Sequence, residues 1–133
     1  MTRTVGDYIT PQNLDDKDIT PFNMDGHRDT AYELPLPDDA ATENHHGILA
    51  FTLHATDPDD LHIEIRVDAL DHTSAPIWNY TINSNVLHTV HQEIPLGHLR
   101  AGVTNFARVH LASGGGYVRV DNMVLWFKRF DKN

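Results

Sequence analysis

The sequence predicts an all-β fold, an antiparallel β-sandwich of jelly-roll type with an extended N-terminal arm. Three observations lead there. Apolar residues alternate at period 2 from Gly47 onward, six such runs follow one another at short spacing, and no amphipathic helical run separates them. At 133 residues the chain fits one domain with one core. The expected division is an acidic, Pro-containing arm over residues 1–46 and a sandwich over residues 47–133.

The arm shows no sustained apolar period, and it holds four of the seven prolines, Pro11, Pro21, Pro35 and Pro37. Within it Ile9-Thr10-Pro11-Gln12-Asn13-Leu14-Asp15 is echoed by Ile19-Thr20-Pro21-Phe22-Asn23-Met24-Asp25, five of seven positions being identical. In each copy Thr is placed to cap a helical turn that starts on Pro, whose missing N–H costs nothing there. Ile9, Leu14, Ile19, Phe22 and Met24 are then the expected anchors, docking on grooves of the domain or of neighbouring subunits. Chance similarity in an Asp/Thr/Pro-rich stretch is the plainer account of the same repeat.

Along the sandwich, Leu49, Phe51, Leu53 and Ala55 form one face of the first strand, and Asp57-Pro58-Asp59-Asp60 is the turn that ends it. Leu61, Ile63, Ile65, Val67 and Ala69 form the core face of the second, opposite His62, Glu64, Arg66 and Asp68. A third strand runs from Ile77 to Asn83 with Trp78, Tyr80 and Ile82 on one side, and a fourth from Val86 to Ile94 with Val86, Val90 and Ile94 in phase. After the loop from Pro95 to Gly102 comes a strand from Asn105 to Leu111, with Ala107, Val109 and Leu111 in phase. Gly114-Gly115-Gly116 is read as a hairpin turn into the last strand, Tyr117 to Phe130. There the apolar phase moves from Val118 and Val120 to Met123, Leu125 and Phe127, and this slip at Asp121-Asn122 predicts a β-bulge.

The stretch from Ile94 to Asn105, Ile-Pro-Leu-Gly-His-Leu-Arg-Ala-Gly-Val-Thr-Asn, followed by Gly116-Tyr117-Val118-Arg119-Val120-Asp121-Asn122-Met123-Val124-Leu125, resembles the C-terminal part of galactose-binding-like, carbohydrate-binding-module-like jelly-roll domains. In those a hydrophobic-Pro-x-Leu-x-x-Gly-x-Asn corner precedes the penultimate strand. One extra residue separates Gly102 from Asn105 here. The resemblance covers about a quarter of the chain and implies a fold rather than an activity, because such sandwiches serve unrelated functions. No ligand-binding residue is carried over.

The charge narrows the partners. The net charge is −9, and residues 1–46 hold ten Asp/Glu against three Lys/Arg. No basic stripe offsets it, which disfavours nucleic acid. The chain opens without an apolar stretch of signal-peptide length and has no run of the roughly 20 apolar residues a membrane helix needs. The expectation is a soluble chain without a cleavable secretory signal and not inserted in a membrane; its compartment is left open, an assembled particle such as a virion surface being one location compatible with it.

No cysteine is available as nucleophile or thiolate ligand, and no Gly-x-Ser-x-Gly elbow occurs. His62 and Glu64, two apart on a strand, share a face, whereas His88 and His91 fall on opposite faces, so a third metal ligand would have to come from a neighbouring strand that the sequence does not place. Solvated histidines are the expectation, with no metal, no cofactor and no catalytic residue.

Trp78, Tyr80, Tyr117, Val124 and Trp126 are the candidate surface for the arm or for a ligand. Trp78 and Tyr80 share a face with Ile82, so core packing is expected of that pair. Trp126 lies in phase with Val124, opposite Met123, Leu125 and Phe127, and one of these two rows must be exposed or covered by another segment. The functional expectation is a non-catalytic structural or assembly protein, such as a virion decoration or surface-associated component, with its arm docked on neighbouring subunits. Its partners are protein subunits, either copies of itself in a homo-oligomer or a particle lattice. The alternative is a lectin-like carbohydrate-binding module that takes a glycan.

Overall fold

The computed structural model describes residues 3–12, 18–19, 29–69 and 75–131, with the backbone alone at 18–19. Among these residues there are seven strands and no helix: β1 (Thr4–Ile9), β2 (Asp18–Ile19), β3 (Asp29–Pro35), β4 (Ile48–Asp68), β5 (Trp78–Ile82), β6 (Leu87–Glu93) and β7 (Thr104–Phe130). All pairings are antiparallel.

The frame is the β4–β7 ribbon, two long strands paired along most of their length and bent together near the middle. On one side of the bend the order is β1-β7-β4-β6, here called sheet A. On the other it is β3-β7-β4-β5, here called sheet B. The inner rows of both halves belong to one hydrophobic core, and the Phe51 ring of sheet A meets the Trp78 ring of sheet B edge-on at 5.9 Å. The result is an antiparallel β-sandwich of jelly-roll type.

The alternation in the sequence is the alternation in the core. Leu49, Phe51, Leu53 and Ala55, then Leu61, Ile63, Ile65 and Val67, are buried along β4, and Ala107, Val109, Leu111, Val118, Val120, Met123, Leu125 and Phe127 along β7. The bulge lies where the apolar phase slips. Ala50 faces Val124 but Thr52 faces Asp121, and Asn122 takes a left-handed φ of 52°. Thr52 Oγ1 holds the bulge by donating to the Asp121 carbonyl at 3.2 Å and accepting from Asn122 Nδ2 at 3.3 Å.

Two turns expected from the sequence are bends within strands. Asp57–Asp60 does not end a strand, and Gly114–Gly116 is not a hairpin. The two segments cross each other inside the ribbon, with Asp59 opposite Gly115. Asp57 and Asp60 adopt positive φ, and their N–H groups donate to the side chains of Asn85 (2.8 Å) and Asn83 (2.7 Å). The glycines are needed because the backbones touch. A Cβ on Gly114 would stand 2.1 Å from the Asp60 carbonyl oxygen.

The segment read as an arm also differs from expectation. Its residues 4–9 and 29–35 are strands of the same chain, flanking β7 in sheets A and B. Tyr32, Leu34 and Leu36 alternate into the core. Pro35 is tolerated because β3 is an edge strand. The first residue of each repeat copy pairs with β7, Ile9 opposite Leu125 and Ile19 opposite Val118. Ile9 and Ile19 sit in strands, and Pro11 follows the end of β1, where no ladder N–H is required; the helical turns expected from Pro11 and Pro21 fall largely outside the described residues. Ile9 packs on the core. Leu14, Phe22 and Met24 lie outside the described residues, as does the Ile19 side chain.

Candidate functional site

Two surfaces stand out, one flat and one concave. The flat one is the outer face of sheet A. With Met123, Leu125 and Phe127 committed to the core, period 2 turns Val124 and Trp126 outward. The register sets Tyr8 of β1 and Ile48 of β4 on either side of Trp126, forming an apolar row across three strands. Val124 and Ala50 are the next cross-strand pair on the same face. Tyr8, Ile48 and Trp126 are 55%, 43% and 49% exposed, high values for large apolar side chains.

The segment 1–46 does reach Trp126, through Tyr8. The two rings are 5.1 Å apart and inclined at 48°. Asp7 helps to hold β1 in place, accepting from Arg129 Nε at 3.0 Å, and Arg3 pairs with Asp131 at 2.8 Å. Tyr8 and Ile48 were missed because cross-strand register is a tertiary fact, and neither residue neighbours Trp126 in sequence.

The other candidates are dispersed. Tyr117 is exposed, but it sits opposite Thr56 at the bend, away from the Trp126 row. Trp78 packs against the core as expected, whereas Tyr80 is half exposed, correcting the expectation for that residue. Tyr80 lies on an edge strand with His88 of β6 across from it, ring to ring at 5.3 Å. Trp78 and Tyr80 stack at 6.0 Å.

Several of the described histidines are engaged by neighbouring groups. His62 Nδ1 lies 2.9 Å from Thr81 Oγ1, Glu64 accepts from Arg66 at 3.2 Å, and His98 Nδ1 lies 3.0 Å from the Val67 carbonyl. His110 pairs with Asp29. Among the described residues no three His, Cys, Asp or Glu side chains converge as a metal site.

The concave surface is a cleft of about 760 Å³ at the end of the sandwich, between residues 38–45, residues 97–101 and Phe130. Its floor is apolar, with Ala40, Ala41 and Leu99 buried. Its rim is polar, with Asp38, Glu43, Asn44, His45 and Arg100. Both walls are fixed by backbone bonds: Ala41 N–H donates to the Lys128 carbonyl (2.7 Å), Phe130 N–H to Asp39 (2.8 Å), and Gly102 N–H to Leu36 (3.1 Å).

The corner motif explains the second wall. Asn105 is fully buried, its Oδ1 accepts from Arg100 N–H at 2.9 Å, and its Nδ2 donates to the carbonyls of Arg100 (3.0 Å) and Val103 (3.2 Å). The extra residue between Gly102 and Asn105 is accommodated inside this clip. Asn105→Ala is expected to cost about 3 kcal/mol, since three bonds are lost and buried backbone groups are left unpaired. Chemical denaturation measures it, and a loss below about 1 kcal/mol would show that the clip does not hold the corner.

No protein-family model matches the sequence, and no curated relative does. Solved structures match by shape. The K1 cleaved adhesin domain of Lys-gingipain from Porphyromonas gingivalis W83 is similar with a TM-score of 0.53 at 14% identity, over 100% of this chain and 99% of that one. A structure of infectious bursal disease virus, Gt strain, is similar with a TM-score of 0.55 at 10% identity, over 98% of this chain but 33% of that one. A family 11 carbohydrate-binding module from Clostridium thermocellum aligns with a TM-score of 0.48 at 15% identity, over 93% and 82% of the two chains. At these identities the likeness to the adhesin domain and to the virus protein is one of fold: the chain shares their all-β sandwich.

Proposed function

We propose that this chain is a non-catalytic structural or assembly protein that docks on a protein neighbour through the outer face of sheet A. The observation that carries this reading is the exposed row Tyr8–Trp126–Ile48 with Val124 beside it. A face of mixed aromatic and aliphatic side chains with no charge at its centre matches the core of a protein interface. The 48° inclination between Tyr8 and Trp126 works against a flat aromatic platform for stacked sugar rings. The arm enters as the supplier of Tyr8, so the surface is completed by the segment first read as a device for reaching neighbours.

Fluorescence tests this reading. In a Trp78→Phe variant Trp126 is the one remaining tryptophan, and its iodide quenching reports access to the outer face. Quenching is expected to fall as protein concentration rises and neighbours cover the ring. Quenching that stays constant over the whole range would remove the reading. Trp126→Ala is expected to lower stability by only about 1 kcal/mol, because half of the ring is already in water.

A second reading, a lectin-like glycan-binding module, is favoured by the end cleft. An apolar floor under a rim of carboxylate, amide and guanidinium groups suits a polar ring with one apolar face. A glycan array with wild type and Arg100→Ala separates the two: retention lost in the variant supports the second reading, and an array without binding removes it.

A further inference from the structure

We propose that the free edge of β6 pairs with the same edge of a second copy of this chain. The two strands would run antiparallel across a two-fold axis at Val90, joining two copies of sheet A into one continuous sheet. This rests on backbone hydrogen-bonding capacity and is independent of the exposed Trp126 row.

Ile94 N–H donates to the Gly47 carbonyl at 2.8 Å, and Ala55 N–H to the Val86 carbonyl at 3.4 Å. In an antiparallel ladder the direction of the backbone groups alternates with each residue. Positions 86, 88, 90, 92 and 94 therefore turn their N–H and C=O groups toward β4, and Leu87, Thr89, His91 and Glu93 turn theirs away. Among the described residues no strand lies on that side, and the one bond made there is from the exposed Gln92 side chain to the Glu93 carbonyl, at 3.2 Å.

Edges left open in this way usually carry a lysine, a proline or a charge, or they are short or covered. The other edges are guarded in such ways. β1 carries Asp7 in an ion pair, β3 ends in Pro35 and is met by Gln12 N–H at the Glu33 carbonyl (3.0 Å), and β5 has only five residues. β6 spans seven residues, Leu-His-Thr-Val-His-Gln-Glu, without Lys or Pro and with one carboxylate, at its end.

A second copy is the occupant that this strand fits best. With the axis at Val90, Thr89 faces the partner's His91, Leu87 faces the partner's Glu93, and all four outward residues on each strand exchange N–H···O=C bonds, about eight in total. Moving the axis by one residue either way lets fewer residues bond. The single carboxylate never meets its own copy, and its methylene groups lie against Leu87, at 67% exposure the most open large apolar side chain among the described residues. Val90 meets the partner's Val90, extending the inner row of sheet A.

The test is sedimentation velocity of the full chain at about 100 µM, because a contact confined to one strand edge falls at the weak end of specific interfaces. It is run in a Trp126→Glu background, which silences the outer face and leaves the edge alone. That protein is expected to sediment as a dimer. Adding Thr89→Lys is expected to return it to the 15.0 kDa monomer, with at least about a tenfold rise in dissociation constant and an unchanged melting temperature. Thr89→Pro removes an N–H that β4 does not use, and should do the same. Hydrogen exchange adds a register check: the amides of residues 87, 89, 91 and 93 should be protected in the dimer and exposed in the Thr89→Lys variant. A monomer in the Trp126→Glu background would overturn the proposal without touching the outer-face reading. So would growth beyond a dimer, which would mean head-to-tail pairing of unlike edges.

Discussion

A chain starting at Gly47 is expected not to fold. Deleting the preceding residues removes β1 and β3, and with them Tyr32, Leu34, Leu36 and Ala40, all in the hydrophobic core. Each lost large core side chain costs about 2–5 kcal/mol when truncated singly. Three lost together come to about 6–15 kcal/mol, as much as the whole 5–15 kcal/mol by which domains of this kind are typically stable. The deletion also bares the edge of β7 turned away from β4, along both sheets, and an unguarded long edge aggregates. Circular dichroism with a thermal scan measures this: no cooperative transition is expected. A folded, cooperatively melting fragment would restore the reading of residues 1–46 as a detachable arm.

Gly114→Ala is expected to destabilise the protein by about 4 kcal/mol, the sum of an unfavourable backbone and a steric overlap that side-chain rotation cannot relieve. Its φ is +87°, and the new methyl would press on the Asp60 carbonyl. The neighbouring residue supplies the control. A Cβ on Gly115 meets nothing closer than 3.9 Å, and no left-handed φ is required there, so Gly115→Ala should be nearly neutral. Urea denaturation of the two variants checks both values. Equal losses would mean that the effect comes from glycine flexibility in the unfolded chain instead of from the crossing of β4 and β7.

That crossing also marks the limit of what the sequence discloses. Period 2 identified the inner rows of β4 and β7, and the phase slip at Asp121-Asn122 located the bulge, because side-chain direction in a strand is a local property. Asp57-Pro58-Asp59-Asp60 and Gly114-Gly115-Gly116 have the composition of chain-reversing turns, and composition alone does not distinguish a reversal from two strands bending against each other. Only the register, with Asp59 opposite Gly115, makes that distinction. In the N-terminal segment the alternation of Tyr32, Leu34 and Leu36 was present in the sequence but obscured by Pro35 and Pro37. β1 carries Asp7 near its middle, a residue that argues against a strand beside a core until Arg129, 122 positions away, is placed next to it.

The candidate surface was legible to a similar depth. The exclusion of Val124 and Trp126 from the core follows from the phase of Met123, Leu125 and Phe127, since a sandwich strand has one inner face. Their neighbours Tyr8 and Ile48 come from strands that only pairing brings together. The cleft was not foreseen, since its two walls lie more than fifty residues apart in the chain and meet only through bonds such as Gly102 N–H to Leu36. Asn105 was noticed as part of a corner motif, and its three hydrogen bonds give that motif a physical role.

The central claim is that the Tyr8–Trp126–Ile48 face makes protein contacts. The most direct measurement compares the sedimentation of wild type and Trp126→Glu at matched concentrations. Edge pairing through β6 is available to both proteins, so any difference reports the outer face alone. Wild type is expected to form larger species than Trp126→Glu as concentration rises, with both proteins melting cooperatively and within about 8 °C of each other. Superimposable sedimentation at every concentration would contradict the claim.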